Sequence, residues 1–370
     1  MILTRLQHAT YKRLLKPVLF MMDPEFVHRR FIAVGYLLGS NPVTRWILSV
    51  FLSYRHPSLE QTICGLRFSN PVGLAGGFDK DAYLMKILPS VGFGWMEIGS
   101  VTARHCAGNA GKHLWRLPKS KGIVVHYGLK NNGAAWIAHR LSKKRYAIPL
   151  GLNVARTNDE EASASDLAGI RDYIATLSTC PDVGDYVTLN VSCPNSCGGE
   201  TFLEPHRLDQ LLTAVDGLKI SKPIFLKIAA DLSTTEVDAI LEVADRHRVD
   251  GFIFSNLTKN YRAAGIVPSE LTPEMKGGIS GKPVEALSNA LIAHVFKQKG
   301  TKYVIIGCGG IFSAQDAYGK IRAGASLVQL ITGMIFEGPQ LIGEINRGLV
   351  DLLKKDGFSS LSEAIGADVK

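Results

Sequence analysis

Short apolar runs rich in β-branched residues recur from residue 72 onward, and a segment with helical periodicity follows each of them. Apolar runs of this length are typical of buried strands, and apolar residues three and four positions apart are typical of helices. The runs span 72–75, 95–101, 148–154, 186–191, 224–228, 251–254, 303–307 and 327–331, and helices are predicted over 81–88, 132–141, 160–177, 207–218, 234–247, 284–296, 314–323 and 339–353. Strands that alternate with helices are parallel, so eight such pairs predict a closed (β/α)8 barrel, the TIM-barrel class of α/β fold.

The first 60 residues have a different pattern. Apolar segments at 18–22, 31–38 and 46–52 alternate with basic residues, and all are shorter than the roughly 20 residues that a membrane-spanning helix needs. We therefore predict an amphipathic helical arm over residues 1–60 and a barrel over residues 61–370. Residues 62–68 are predicted to form a short hairpin that closes the floor of the barrel.

Positive charge is concentrated in this arm. The whole chain carries a formal net charge of +9, and residues 1–60 hold eight basic residues against three acidic ones, a net charge of +5. Because cationic helices with aromatic residues bind the headgroup region of anionic membranes, we predict that the arm lies on a membrane surface. A helical pair packed against its own barrel is the alternative. The basic residues form no recognisable nucleic-acid-binding motif, so no nucleic-acid partner is expected.

Composition indicates one large core, since 46% of the 370 residues are hydrophobic and a single barrel commonly uses about 250 residues. The six cysteines are scattered and no cleavable signal peptide precedes them, so a reducing compartment is expected. Cys193 and Cys197 are compatible with a redox pair or with half of a zinc site. No second Cys/His pair completes a tetrahedral set in the sequence, and no metal site is predicted.

Polar residues and glycines stand at the carboxyl ends of all eight predicted strands, where barrels of this class place their chemistry. The glycines after the seventh and eighth strands expose backbone amides next to helix amino ends, which predicts a phosphate site. Gly281 adds another close backbone approach. Lys80 and Lys227 approach the same mouth, either to meet a negatively charged ligand or, in the alternative, to pair with Asp79.

The segment Asn190-Val-Ser-Cys-Pro-Asn-Ser-Cys197 carries the clearest chemistry. It places a thiol and two carboxamides where the fourth strand leaves the core. Cys193 can deprotonate a carbon or attack one, and Asn190 and Asn195 can each bind a polar heterocycle through a donor and an acceptor. The alternative is that a cysteine at a strand end is only a small buried hydrophobe.

Six sequence blocks resemble those of the dihydroorotate dehydrogenases, FMN enzymes that oxidise dihydroorotate to orotate in pyrimidine synthesis. The blocks occur in the family's order at residues 70–80, 97–100, 190–195, 227–229, 277–283 and 306–311. Asp23-Pro-Glu25 with His28, and the ending Ile365-Gly-Ala-Asp368, are similar to the membrane-associated branch that passes electrons to a quinone. The resemblance implies an FMN-binding barrel over 61–370 in a peripheral protein on the cytoplasmic face of the cell membrane.

The resemblance also implies roles for individual residues. Cys193 would take a proton from the carbon next to the ring carbonyl while the neighbouring carbon gives a hydride to the flavin, and Ser196 would pass the proton onward. The substrate would be bound by Lys80, Asn190, Asn195 and Asn256. FMN would contact Gly76, Gly77, Ser100, Asn153, Asn190, Lys227, Ser255, Gly281, Gly310 and Thr332. Lys227 would stabilise the anion of the reduced ring, and a quinone would arrive through an apolar tunnel between the arm helices.

The sequence departs from the family's pattern at four places. Cys193 stands where the membrane-associated branch has Ser, as in the soluble branch; because a thiol has the lower intrinsic pKa, we expect a lower pH optimum. Val125 occupies the position of an Asn that binds the substrate ring, which removes a hydrogen bond of about 1 kcal/mol. Leu257 replaces a Thr, and Gly199-Glu200 replaces a Leu-Arg pair. Two alternatives follow: a flavin dehydrogenase of another dihydropyrimidine-like cyclic amide, and a flavin-binding membrane protein without turnover.

Overall fold

The computed structural model describes residues 7–141, 145–195, 197 and 201–369. The strands in this part of the chain are β1 (Gln61–Ile63), β2 (Leu66–Phe68), β3 (Val72–Leu74), β4 (Trp95–Val101), β5 (Leu114–Leu117), β6 (Gly122–Val125), β7 (Leu150–Val154), β8 (Tyr186–Asn190), β9 (Ile224–Ile228), β10 (Gly251–Phe254), β11 (Gly278–Gly281), β12 (Val304–Cys308) and β13 (Leu327–Leu330). A closed parallel barrel forms in the order β3, β4, β7, β8, β9, β10, β12, β13. The predicted (β/α)8 fold is confirmed.

The main helices are α1 (Lys16–Met21), α2 (Pro24–Ser40), α3 (Pro42–Leu52), α4 (Leu88–Val91), α5 (Ala134–Leu141), α6 (Glu160–Ser163), α7 (Asp166–Thr179), α8 (Pro205–Gly217), α9 (Thr234–Ala244), α10 (Glu285–Lys299), α11 (Ala314–Arg322), α12 (Thr332–Glu337), α13 (Leu341–Asp356) and α14 (Leu361–Ala364). The predicted helix over 81–88 is wrong. Ala82 has a left-handed backbone with φ of 59°. The Asp79 carboxylate accepts the backbone N–H groups of Tyr83 and Leu84 at 2.8 and 2.7 Å, which takes the place of helical partners.

Side chains inside the barrel form an apolar layer below a polar one. The lower layer packs together inward residues of six strands, which are Trp95, Tyr186, Phe225, Ile253, Ile306 and Leu327. Since strand side chains alternate between faces, the residues two positions further along face the same interior. These second-layer residues are Glu97, Thr188, Lys227, Cys308 and Gln329. The interior therefore becomes polar toward the carboxyl ends of the strands.

The β1–β2 hairpin closes the opposite end of the barrel, as predicted. Phe68 of β2 packs edge-on against Trp95 at the start of β4, with ring centroids 6.2 Å apart, and belongs to the same apolar cluster as Tyr186 at the start of β8. Burial of a Phe side chain contributes about 1.5–3 kcal/mol. The floor is therefore sealed against water, and ligands reach the interior from the carboxyl ends of the strands.

A second, antiparallel sheet stands beside the barrel mouth and was not predicted. β6 is its central strand, and it pairs with β5 on one side and β11 on the other. β5 and β6 belong to the long excursion between β4 and α5, whereas β11 comes from the excursion after β10. The sheet brings residues 122–125 and 278–281 together at the rim of the barrel.

The arm consists of a π-helical turn at Tyr11–Leu15 followed by α1, α2 and α3. Fourteen of the fifteen exposed large hydrophobic side chains of the described chain lie in it, between Leu14 and Phe51; the other is Leu167. The arm also contacts the barrel, through Lys12 with Glu337 at 2.5 Å and Tyr11 Oη with the Ile335 carbonyl at 2.7 Å. None of the helices within the described ranges is both long and apolar enough to cross a membrane.

Candidate active site

One cavity of about 410 Å³ opens at the carboxyl ends of the barrel strands and continues beneath the arm. Ten residues predicted to contact substrate or cofactor line it: Gly76, Gly77, Lys80, Ser100, Asn190, Cys193, Asn195, Lys227, Asn256 and Thr332. Their strands are distant in sequence but meet in the closed barrel, so the fold gathers them at one place. Asn153, Ser255, Gly281 and Gly310 are not part of this lining.

A buried chain of hydrogen bonds runs from Glu97 to the cavity. The Glu97 carboxylate accepts from Thr188 Oγ1 at 2.6 Å and from Asn153 Nδ2 at 3.2 Å. Asn153 Oδ1 in turn accepts from Ser100 Oγ at 2.5 Å, and Ser100 Oγ accepts from Asn190 Nδ2 at 2.8 Å. Asn153 thus lies directly behind Ser100, one residue away from the cavity wall.

The Glu97 carboxylate determines which groups donate and which accept along this series of hydrogen bonds. Because a carboxylate only accepts, Asn153 must turn its NH₂ group toward Glu97 and its oxygen toward Ser100. Asn190 must then donate to Ser100, which leaves its oxygen to accept from Asn256 Nδ2 at 3.2 Å. Glu97, which was not predicted as a site residue, therefore fixes the orientation of two carboxamides, those of Asn153 and of the cavity-lining Asn190.

Cys193 lies in the loop that leaves β8, and its half-buried side chain lines the cavity. Asn195 anchors this loop: its Nδ2 donates to the Val125 carbonyl at 2.8 Å, and its own carbonyl accepts from Asn109 Nδ2 at 3.1 Å. Cys197 is exposed, and no disulfide joins it to Cys193. Ser196, predicted to pass a proton onward, lies outside the described residues. The thiol is therefore held beside the site carboxamides.

Lys80 places its ammonium group over the Tyr127 ring, 3.1 Å from the centroid. Burial, with repulsion from Lys130 as a smaller cause, lowers the pKa of Lys80 to about 7. Asp79 does not pair with it, because the Asp79 carboxylate is bound to backbone N–H groups, and burial raises the pKa of Asp79 to about 6. An anionic ligand beside Lys80 would stabilise the protonated form of this lysine.

Several buried polar groups below the cavity lack partners. Ser255 Oγ and both amide atoms of Gln329 have no hydrogen-bond partner among the described residues. Lys227 is only 5% exposed and lines the cavity. Buried polar groups are nearly always hydrogen-bonded, so Ser255 and Gln329 are exceptions, but neither of them lines the cavity. The ammonium group of Lys227, which lines the cavity, suits the carbonyl oxygens and ring nitrogens of a flavin, so the residues present fit FMN.

Bare backbone surrounds the predicted phosphate position. Gly281 has φ of 95°, and a Cβ there would lie 2.2 Å from the Lys121 carbonyl and 2.9 Å from Thr332 Cγ2. Ser280 Oγ and Thr332 Oγ1 are 2.8 Å apart. Gly310, with φ of 77°, likewise leaves no room for a side chain beside Glu285. Glycine backbone and the hydroxyls of Ser280 and Thr332 therefore lie close together around Gly281, an arrangement compatible with a phosphate.

The part of the cavity beneath the arm is mainly apolar, with side chains such as Phe20, Val34 and Leu38 in its wall. Two residues bring nitrogen atoms into it. Arg116 stacks on Phe20 at 4.7 Å and donates to the Met22 carbonyl at 2.8 Å. His28 Nε2 lies 2.9 Å from the Phe78 carbonyl, and burial lowers the pKa of His28 to about 4. This neutral ring therefore carries its proton on Nε2 and keeps Nδ1 as an acceptor.

Arg116 and Tyr127, which line the cavity, were not predicted as site residues. Arg116 lies on β5 and Tyr127 follows β6, so both depend on the antiparallel sheet that was missed. The signal that could have found this sheet is the alternating segment 114–117, separated by four residues from a second apolar run, which is typical of a hairpin.

Besides Cys193, two of the family departures fall inside the site. Val125 at the end of β6 and Leu257 after β10 both line the cavity. Each is half-buried and presents hydrocarbon where the family pattern has a polar side chain. Gly199-Glu200, the remaining departure, lies outside the described residues.

Comparisons with known proteins all lead to one family. A family model described as dihydroorotate dehydrogenase matches residues 58–353. A dihydroorotate dehydrogenase (quinone) of Gloeobacter violaceus is 37% identical, covering 96% of this chain and 98% of the relative, and one of Acidithiobacillus ferrooxidans is 39% identical with the same coverage. A solved structure of ligand-free DHODH from Eimeria tenella is similar with a TM-score of 0.81 and 28% identity, covering 94% of this chain and 100% of that one. The similarity includes the arm.

Proposed function

The chain belongs to the dihydroorotate dehydrogenase family, and from this premise we propose that it oxidises dihydroorotate to orotate, with FMN as cofactor and a quinone as electron acceptor, in pyrimidine biosynthesis. The observation that carries the proposal is the single cavity in which Cys193 and the carboxamides of the barrel mouth adjoin the apolar space beneath the arm. One substrate is a polar anion and the other is a lipid-soluble ring. The polar half of the cavity suits the anion, and the apolar half suits the lipid-soluble ring.

In the polar half, Cys193 is the proposed base. It takes the proton from the ring carbon next to a carbonyl; FMN, when bound, would supply the acceptor for the hydride of the neighbouring carbon. Asn190, Asn195 and Asn256 hold the ring through hydrogen bonds, and Lys80 pairs with the carboxylate. A carboxylate beside Lys80 favours the protonated lysine, so binding the substrate raises a pKa that burial has lowered.

The cofactor contacts are proposed from the same geometry. Ser100, Asn190 and Lys227 line the cavity, whereas Asn153 and Ser255 lie behind it; Lys227 would balance negative charge on the reduced ring. Gly76 and Gly77 would lie beside the ring, and Gly281, Gly310 and Thr332 would hold the phosphate. Glu97 supports these contacts from below, because it orients Asn153 and through it Ser100.

In the apolar half, we assign the quinone to the space between the arm and β5. Its carbonyl oxygens would accept hydrogen bonds from Arg116, the charged donor in that part of the lining. His28 would remain neutral and oriented by the Phe78 carbonyl. The apolar wall excludes water from the path between the quinone and the flavin.

The arm is also the proposed membrane contact. Its exposed hydrophobic side chains include Trp46, Leu37 and Met21, which are 67%, 71% and 89% exposed. Basic residues of the same segment would meet anionic headgroups. Attachment at the surface, rather than a membrane-spanning helix, would let a quinone pass directly from the lipid into the cavity, on the cytoplasmic face as expected.

The test is an anaerobic half-reaction. The purified protein should be yellow, and dihydroorotate added without air should bleach the flavin within seconds and form one orotate per flavin. A soluble quinone analogue added next should restore the colour. A yellow protein that dihydroorotate does not bleach contradicts the proposal and favours a flavin-binding protein without this activity.

A further inference from the structure

Three apolar side chains form one wall of the cavity beside Cys193. Val125, Pro194 and Leu257 all line the cavity and make up this apolar wall. They meet around Gly278 of β11, which is the register partner of Val125. A Cβ on Gly278 would lie 2.5 Å from Leu257 Cβ and 3.2 Å from Pro194 Cγ, so the wall closes only because this position is glycine.

Backbone polar groups of the wall are already bound within the protein. The Val125 carbonyl accepts from Asn195 Nδ2 at 2.8 Å, and the Leu257 N–H donates to Asn256 Oδ1 at 3.0 Å. The wall therefore offers mainly hydrocarbon to a ligand. A ring carbonyl or N–H placed against it would lose its bonds to water without replacement, whereas an alkyl group would gain from leaving water.

This inference rests on the proposed function and names a further substrate class for the same site. We propose that the apolar wall is a pocket for a small alkyl substituent, and that the site oxidises dihydropyrimidines with a methyl group on the ring carbon that Cys193 deprotonates, besides dihydroorotate itself. Pro194 directly follows Cys193 and belongs to the wall, so this carbon is the one nearest to it. The saturated C–C bond becomes a double bond as a proton leaves to Cys193 and a hydride leaves to the flavin.

The expected preference for the methylated substrate follows from the burial of one methyl group. One buried CH₂ or CH₃ is worth a factor of roughly four in binding, from about 0.8 kcal/mol per group. The ratio of kcat/KM for 5-methyldihydroorotate to that for dihydroorotate should therefore be one or more in the wild type. It should fall about fourfold in Val125→Asn and in Leu257→Thr, because each variant replaces wall hydrocarbon with a polar group.

Flavin bleaching by each substrate, followed by anaerobic stopped-flow absorbance in the FMN-loaded full-length protein, measures this ratio. Leu167→Thr is the matched control, because it makes a comparable substitution at an exposed site on the barrel surface, where Leu167 is 55% exposed. Its ratio should equal that of the wild type. Affinities of orotate and 5-methylorotate, from flavin absorbance titrations, provide a second readout that does not depend on turnover.

The outcomes separate the two proposals. Bleaching by dihydroorotate but not by its methyl derivative overturns this inference and leaves the proposed function intact. Oxidation of both substrates with a ratio that stays the same in Val125→Asn and Leu257→Thr also overturns it, since the wall would then play no part. If neither substrate bleaches the bound flavin, the proposed function fails and the inference fails with it.

Discussion

The barrel mouth and the arm enclose one cavity but are built in opposite ways. At the mouth, a buried carboxylate orients Asn153, Ser100 and Asn190 one after another, so each donor and acceptor has a fixed direction. The arm part of the wall is mainly apolar, and many large hydrophobic side chains of the arm face outward. The difference teaches that recognition of a polar anion requires directed hydrogen bonds, whereas admission of a lipid-soluble ring requires mainly the exclusion of water.

Removal of the proposed base gives the largest expected effect and concerns the mouth alone. Cys193→Ala should slow flavin reduction by dihydroorotate about 10²- to 10⁴-fold, the usual contribution of a positioned general base. Cys193→Ser should recover part of the rate with a higher pH optimum, because a hydroxyl has the higher intrinsic pKa. Stopped-flow reduction at several pH values measures both. A Cys193→Ala variant that reduces its flavin at the wild-type rate is incompatible with the proposed base.

A smaller effect at the mouth comes from pH. Because the pKa of Lys80 is lowered to about 7, the free protein loses the Lys80 proton above that pH, whereas a bound carboxylate requires it. Orotate affinity should therefore fall as pH rises through about 7, by up to roughly tenfold per pH unit. Titration calorimetry at several pH values gives the slope, and Lys80→Met should bind weakly with no such slope. A flat profile in the wild type would rule out this role for Lys80.

The smallest effect concerns the arm. Trp46→Glu on α3 should weaken binding to anionic vesicles roughly tenfold, the equivalent of about 1.4 kcal/mol of lost apolar burial. Leu167→Glu on α7 makes a similar change at the one exposed large hydrophobic residue that the described ranges hold outside the arm, and it should leave vesicle binding unchanged. Co-sedimentation with vesicles gives both values. Equal losses in the two variants would show that the arm is not the membrane contact.

The same two regions show what could be predicted from the sequence. The barrel strands could be predicted because each is a short apolar run. Most of the proposed ligand-binding residues could be predicted because they directly follow those runs. The role of Glu97 could not be predicted from the sequence, because its partners Asn153 and Thr188 are 56 and 91 positions away. Only the closed barrel brings them together. The failed helix over 81–88 has a local cause instead, because the buried Asp79 carboxylate binds the backbone N–H groups of Tyr83 and Leu84. The division of the chain at residue 60 stays a prediction.

The most direct test of the account measures the two half-reactions separately in two variants. Stopped-flow absorbance would follow flavin reduction by dihydroorotate and flavin reoxidation by a quinone analogue in Cys193→Ala and in Arg116→Leu. We predict that Cys193→Ala loses only the first and that Arg116→Leu, which removes the charged donor beneath the arm, is impaired only in the second. Loss of both half-reactions to the same extent in either variant would contradict a cavity divided between two substrates.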